Sequence, residues 1–139
     1  MQPTIYLYFE GKCEEAMRYY VDVFGGEVLG IFRNGDSPDP ENRMPGGDDL
    51  VMNMAVRIGE SEMMASDAPK EWYNKPQGFD ISMPASSIEE AQRWFEAISD
   101  GGTVRMDLEE TFWAERFAMV TDRYGIHWMI NYTGNKAPK

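Results

Sequence analysis

Apolar positions follow two periods along this chain. Cys13, Ala16, Met17, Tyr20, Val21 and Phe24 recur at i, i+3, i+4, i+7 spacing, which predicts a helix with one apolar face. Ile88, Ala91, Phe95 and Ile98 repeat that pattern, widened by Trp94. Ser87 and Glu90 have the spacing of a capping box, hydroxyl to a free N–H and carboxylate reaching back. A glycine pair follows each helix, Gly25-Gly26 and Gly101-Gly102, as a left-handed helix stop requires. Elsewhere short alternating or apolar runs lie between turn residues and predict strands. They are Thr4–Phe9, Glu27–Arg33, Val51–Ile58 and Glu62–Ser66 in the first half. Phe79–Pro84, Thr103–Leu108, Phe117–Asp122 and Ile126–Tyr132 are their counterparts in the second.

The halves are related. Glu14-Glu15-Ala16-Met17-Arg18-Tyr19-Tyr20 and Glu89-Glu90-Ala91-Gln92-Arg93-Trp94-Phe95 share the pattern Glu-Glu-Ala-x-Arg-aromatic-aromatic at an offset of 75. The same offset carries Gly26 onto Gly101. Two unrelated amphipathic helices are the competing explanation, and the shared offset argues against it. The repeat is too long for a solenoid, so a duplicated β-α-β-β-β module is the better reading. Module one runs from about residue 3 to 67 and module two from about 77 to 133, within one domain over 1–139. Two segments break the symmetry. Asn34–Asp49, rich in Gly, Pro and acids, reads as a long mobile loop, a class that is usually functional or disordered. Ala68–Pro76 reads as the connection between modules, and Gly134–Lys139 as a frayed tail.

Composition narrows the partners. The 139 residues are 42% hydrophobic and carry a net charge of −11, which argues against nucleic acid and against an anionic membrane surface. No apolar run approaches the roughly 20 residues that span a bilayer. Met1-Gln2-Pro3-Thr4 lacks the basic start of a signal peptide, and Cys13 has no second cysteine to pair with. A soluble cytoplasmic protein is the expectation.

Several motifs carry a resemblance. Leu7-Tyr8-Phe9-Glu10-Gly11, Ala65-Ser66-Asp67-Ala68-Pro69 and Lys75-Pro76-Gln77-Gly78-Phe79 are three of them. Glu110-Thr111-Phe112-Trp113-Ala114-Glu115-Arg116-Phe117, continuing through Val120–Trp128, is the most specific. With the duplicated module, they make the chain resemble the PhnB-like branch of the vicinal oxygen chelate (glyoxalase/bleomycin-resistance/dioxygenase) superfamily. The resemblance implies an α+β fold, two tandem βαβββ modules whose curved mixed sheets enclose a cavity, and a homodimer. It implies no reaction, since the fold carries many. Some members carry a methyltransferase label, yet no Gly-rich cofactor loop is present here. Metal-dependent members use His, Gln or Glu on four strands to hold a divalent Lewis acid. The corresponding positions fall on Thr4, Asp80, Met129 and one of Met63, Met64 or Glu62. That donor set suits zinc, nickel or iron poorly, so neither metal nor cofactor is expected.

Strand parity then names a binding site. Ile5, Leu7 and Phe9 should face a helix, leaving Tyr6 and Tyr8 on the cavity side. Tyr6, Tyr8, Met54, Met129 and Trp113 are the expected walls, and Asp80, Ser82, His127 and Asn131 the polar contacts. Met54 enters as part of the alternating set Met52, Met54, Val56, in a chain with 11 methionines, a side chain suited to an adaptable pocket. His127 is the one side chain that ordinarily titrates near neutrality, and with Asp80 it is the candidate acid–base pair. A hydrogen-bonded strand histidine is the blander reading. Trp113 closes the pocket or anchors a dimer. Cys13 lies on an apolar helix face and packs. The leading function is a metal-independent binder of an apolar or amphipathic small molecule. The alternatives are a divalent-metal lyase, isomerase or dioxygenase, and a dimeric structural protein.

Overall fold

Both predicted helices and all eight predicted strands are present in the computed structural model, which describes residues 1–137. The first module comprises β1 (Ile5–Phe9), α1 (Cys13–Phe24), β2 (Gly26–Arg33), β3 (Val51–Ile58) and β4 (Ser61–Asp67). The second comprises β5 (Ile81–Pro84), α2 (Ile88–Ser99), β6 (Thr103–Glu109), β7 (Arg116–Thr121) and β8 (His127–Tyr132). Each forms its own four-stranded sheet, ordered β1-β4-β3-β2 and β5-β8-β7-β6. One pair in each sheet is parallel, β1 with β4 and β5 with β8, and the other pairs are antiparallel. The sheets are therefore mixed and the class is α+β. The chain divides into two compact units, Met1–Asn74 and a second that begins at Lys75.

Within each module the helix covers one sheet face. The buried stripe of α1, Cys13, Ala16, Met17 and Tyr20, packs on β2, β3 and β4. Directly opposed residues on neighbouring strands point to the same side. Leu7, Ala65 and Met54 are opposed in that way, so Met54 shares the α1 face with Leu7. It is 0% exposed. Met54 is thus a core residue and not a pocket wall. The alternation of Met52, Met54 and Val56 gave the period of β3 correctly but not which phase faces the helix. Burial of such a side chain contributes about 1.5–3 kcal/mol, ample reason for a methionine there. In the second module Trp128, Ile130, Ala118 and Val120 are the corresponding buried set under Ala91, Trp94 and Ile98 of α2.

The ends of the elements refine the repeat. Helices α1 and α2 keep the offset of 75, but the glycines do not. Gly25 and Gly101 are the pair with positive φ, 79° and 77°. Gly26 and Gly102 are the pair where a Cβ would overlap a neighbouring strand's backbone oxygen, on Arg57 and Thr121 respectively. By role the offset there is 76, because Asp100 is inserted as the cap of α2. The capping box is half formed: Ser87 Oγ accepts from Glu90 N at 3.0 Å. The Glu90 carboxylate passes Ser87 and accepts from the N–H of Ser86 at 2.9 Å. Helix α1 has no cap of its own. Its first N–H, on Cys13, donates to Asp67 Oδ1 at 2.9 Å, and Asp67 Oδ2 accepts from Val51 N at 3.0 Å. One carboxylate at the end of β4 thereby ties down α1 and β3 together. In the second module Asp122 accepts from Tyr124 N, Ile126 N and Trp128 Nε1 at 2.8–3.0 Å. That turn fixes the register of β8 and puts His127, Met129 and Asn131 opposite its helix-covered face.

Candidate functional site

The two segments without a counterpart in the repeat build a pocket in the first module. Its volume is about 440 Å³ and its lining is Tyr8, Met44, Ser66, Asp67, Ala68, Trp72 and Asn74. Tyr8 and Ser66 are opposed on the parallel pair β1 and β4, on the face away from α1. They form the floor where both strands end. Asn74 and Trp72 come from the connection after β4, which turns back through Trp72 N and Tyr73 N donating to Pro69 O at 2.8 and 3.0 Å. Met44 comes from the segment expected to be a mobile loop. Instead that segment is organised around Asn34, 1% exposed. Asn34 Nδ2 donates to the carbonyls of Met44 and Gly47, at 2.9 and 3.2 Å, and Asn34 Oδ1 accepts from Met44 N at 3.0 Å. Arg43 adds bonds to the Ser37 carbonyl at 2.8 and 3.2 Å. A buried amide satisfies the loop backbone, so a composition rich in Gly and Pro still yields a defined shape.

Tyr6 and Tyr8, both expected walls, lie side by side with ring centroids 5.1 Å apart. The Tyr6 hydroxyl accepts from Asn53 Nδ2 at 3.2 Å. Tyr8 joins the pocket lining. Met44, Ser66, Trp72 and Asn74 were missed in the sequence, because they sit in segments read as loop or strand end. The adjacent aromatics Trp72 and Tyr73 within Ala68–Pro76 were the signal available.

The second module gathers the polar candidates. Ser82 and Met129 are cross-strand partners on the face away from α2. Asn131 opposes Pro84 and Phe117 there, and its Nδ2 donates to Thr133 Oγ1 at 2.9 Å. Asp80 Oδ1 is 3.9 Å from His127 Nδ1, too far for a hydrogen bond. The residue that engages Asp80 is Arg105, whose Nη2 lies 2.9 Å from Asp80 Oδ2 and 3.0 Å from the Val120 carbonyl. Arg105 is the extra residue in a register shift between Val104 and Met106, and a bulge re-aims a side chain. Alternation along a sequence does not reveal a bulge, so Arg105 was not foreseen. Trp113 lies in a turn where Thr111 Oγ1 accepts from Trp113 N and Ala114 N at 3.3 and 3.1 Å. Its ring meets Phe117 edge-on at 5.3 Å and Phe112 at 4.9 Å.

The donors for a superfamily-type metal do not fit. Among the described residues no three His, Cys, Asp or Glu side chains converge on a point. The Asp80 carboxylate is already neutralised by a guanidinium, and Met129 offers a thioether that suits only soft ions. A methyl-donor cofactor fares no better. The strand-to-helix turns, Glu10-Gly11-Lys12 and Ala85-Ser86-Ser87, are short and hold one glycine between them.

Two βαβββ modules, each with one mixed sheet and one helix, are the architecture that the resemblance to the vicinal oxygen chelate superfamily implies. The family model described as 3-demethylubiquinone-9 3-methyltransferase matches residues 2–131. Protein YjdN of Escherichia coli K12 is 36% identical over 134 residues, covering 91% of each chain. The crystal structure of PA1353 from Pseudomonas aeruginosa aligns with TM-score 0.86 and 38% identity over 95% of this chain and 97% of that one. The PhnB protein of Bacillus cereus aligns with TM-score 0.81 and 25% identity over 95% and 99%. The chain belongs to this PhnB-like family, and neither an activity nor a metal state follows from membership. No helix among the described residues is long and apolar enough to cross a membrane.

Proposed function

We propose that the chain is a cytoplasmic, homodimeric small-molecule-binding protein that works without a transition metal, taking an apolar or amphipathic ligand into the first-module pocket. The observation that carries this reading is the pocket's construction. Both segments outside the duplicated framework converge on Tyr8 and Ser66, and the resulting 440 Å³ lies within the range of ligand sites. The lining supports an amphipathic ligand: two aromatic rings and a thioether beside a hydroxyl and an amide. Tyr8 and Trp72 are 53% and 59% exposed, so both rings present surface to a ligand.

Native mass spectrometry of freshly purified protein, with extraction of any adduct, tests the reading directly. A bound small molecule is expected, and Trp72→Ala should weaken it by on the order of tenfold through loss of one aromatic contact. If neither the native adduct nor a screened panel of amphipaths distinguishes wild type from Trp72→Ala, the pocket is not the site. Metal analysis should find no stoichiometric transition metal. Light scattering at micromolar concentration should give a dimer, and a monomer there overturns that part.

A further inference from the structure

We infer that the first-module pocket selects a flat organic cation, an inference that rests on the binding reading above and adds the ligand's charge. Three observations point the same way. First, the lining contains two aromatic rings and no Lys or Arg. Aromatic faces are negative at their centres and attract a cation held over them. The Met44 thioether is polarizable and accommodates a ring edge. Second, the Asp67 carboxylate lies just behind the lining, on the α1 side of β4, where each oxygen accepts one backbone N–H. Third, the surrounding field is negative. Residues 1–74 hold 14 acidic and 6 basic side chains, a net −8, against 10 and 7, a net −3, for residues 75–139. Close to the pocket, Glu10 adds to burial in pushing the Tyr73 phenol above its ordinary value. An anion entering here meets no cationic side chain on the lining and a repelling field. A cation meets π faces and a focused attractive potential.

Three tricyclic probes of matched shape separate charge from shape: 9-aminoacridine (cation), acridone (neutral) and acridine-9-carboxylate (anion). Their binding to the full-length protein is followed by calorimetry, with amide chemical shifts locating the site. The cation should bind on the order of tenfold tighter than the neutral probe, the scale of a cation–π contact, and the anion more weakly still. Raising ionic strength should narrow that spread. Tyr8→Leu and Trp72→Leu keep apolar volume but remove the π faces, so the cation should fall toward the affinity of acridone. Because both rings are largely exposed, these variants should fold, and their far-UV spectra serve as the control. If all three probes bind the pocket equally, the charge selection is wrong and the binding reading survives. If none perturbs the pocket amides, both fall.

Discussion

Asn34 fixes Met44 from both sides, accepting its N–H and donating to its carbonyl. A buried amide used this way is costly to remove, because the groups it served lose their partners. Asn34→Ala is expected to leave the sheets intact and to cost about 1–3 kcal/mol. Faster hydrogen exchange at residues 44–47, together with weaker ligand binding, would be the readout. Unchanged exchange there would mean that other bonds hold the loop. Cys13 is the opposite case, a reactive group type made inert. Burial first, then the charges of Asp67 and Glu14, push its thiol far above its ordinary value. The thiolate is the reactive form. Ellman's reagent should therefore leave native protein unmodified and react fully once denaturant is added. Rapid reaction of the native thiol would contradict its placement on the buried face of α1.

At the scale of elements, the glycine after each helix stop is the position most sensitive to size. A Cβ on Gly26 or Gly102 would overlap a backbone oxygen of the adjacent strand, which cannot swing aside as a side chain can. Gly26→Ala and Gly102→Ala are each expected to cost about 1–3 kcal/mol, the cost of overpacking. Denaturant midpoints measure it, and Gly30→Ala, which meets open space, is the control. These glycines also mark what a sequence makes legible. Helix faces, the glycine pairs and strand alternation are local patterns, and they placed every element to within a few residues. β5 starts at Ile81, two residues inside the predicted Phe79–Pro84. Phase and connection are not local. The core position of Met54 depends on its alignment with Ala65 and Leu7, set 11 and 47 residues away. The bulge at Arg105 depends on its pairing with β7, and the shape of residues 34–49 depends on a single buried amide. Hence the open strand face of Tyr8 was legible, whereas the positions of Met44, Trp72 and Arg105 were not.

Over the whole molecule, charge is the property that no single element holds. A net −11 on 139 residues repels itself in the folded state, and exposed ion pairs return little of that. Added sodium chloride is therefore expected to raise the thermal midpoint modestly as screening sets in. A fall with salt would mean that attractive pairs outweigh the repulsion. The same duplication that doubles the framework leaves only the first copy elaborated by the segments that line the pocket. Asp67 is where framework and pocket meet. Its residue lines the pocket, and its carboxylate oxygens hold the amides of Cys13 and Val51. A molecule held in the pocket would then be read remotely, from the two backbone protons on Asp67 behind its wall, which makes α1's first amide a natural reporter for ligand screening.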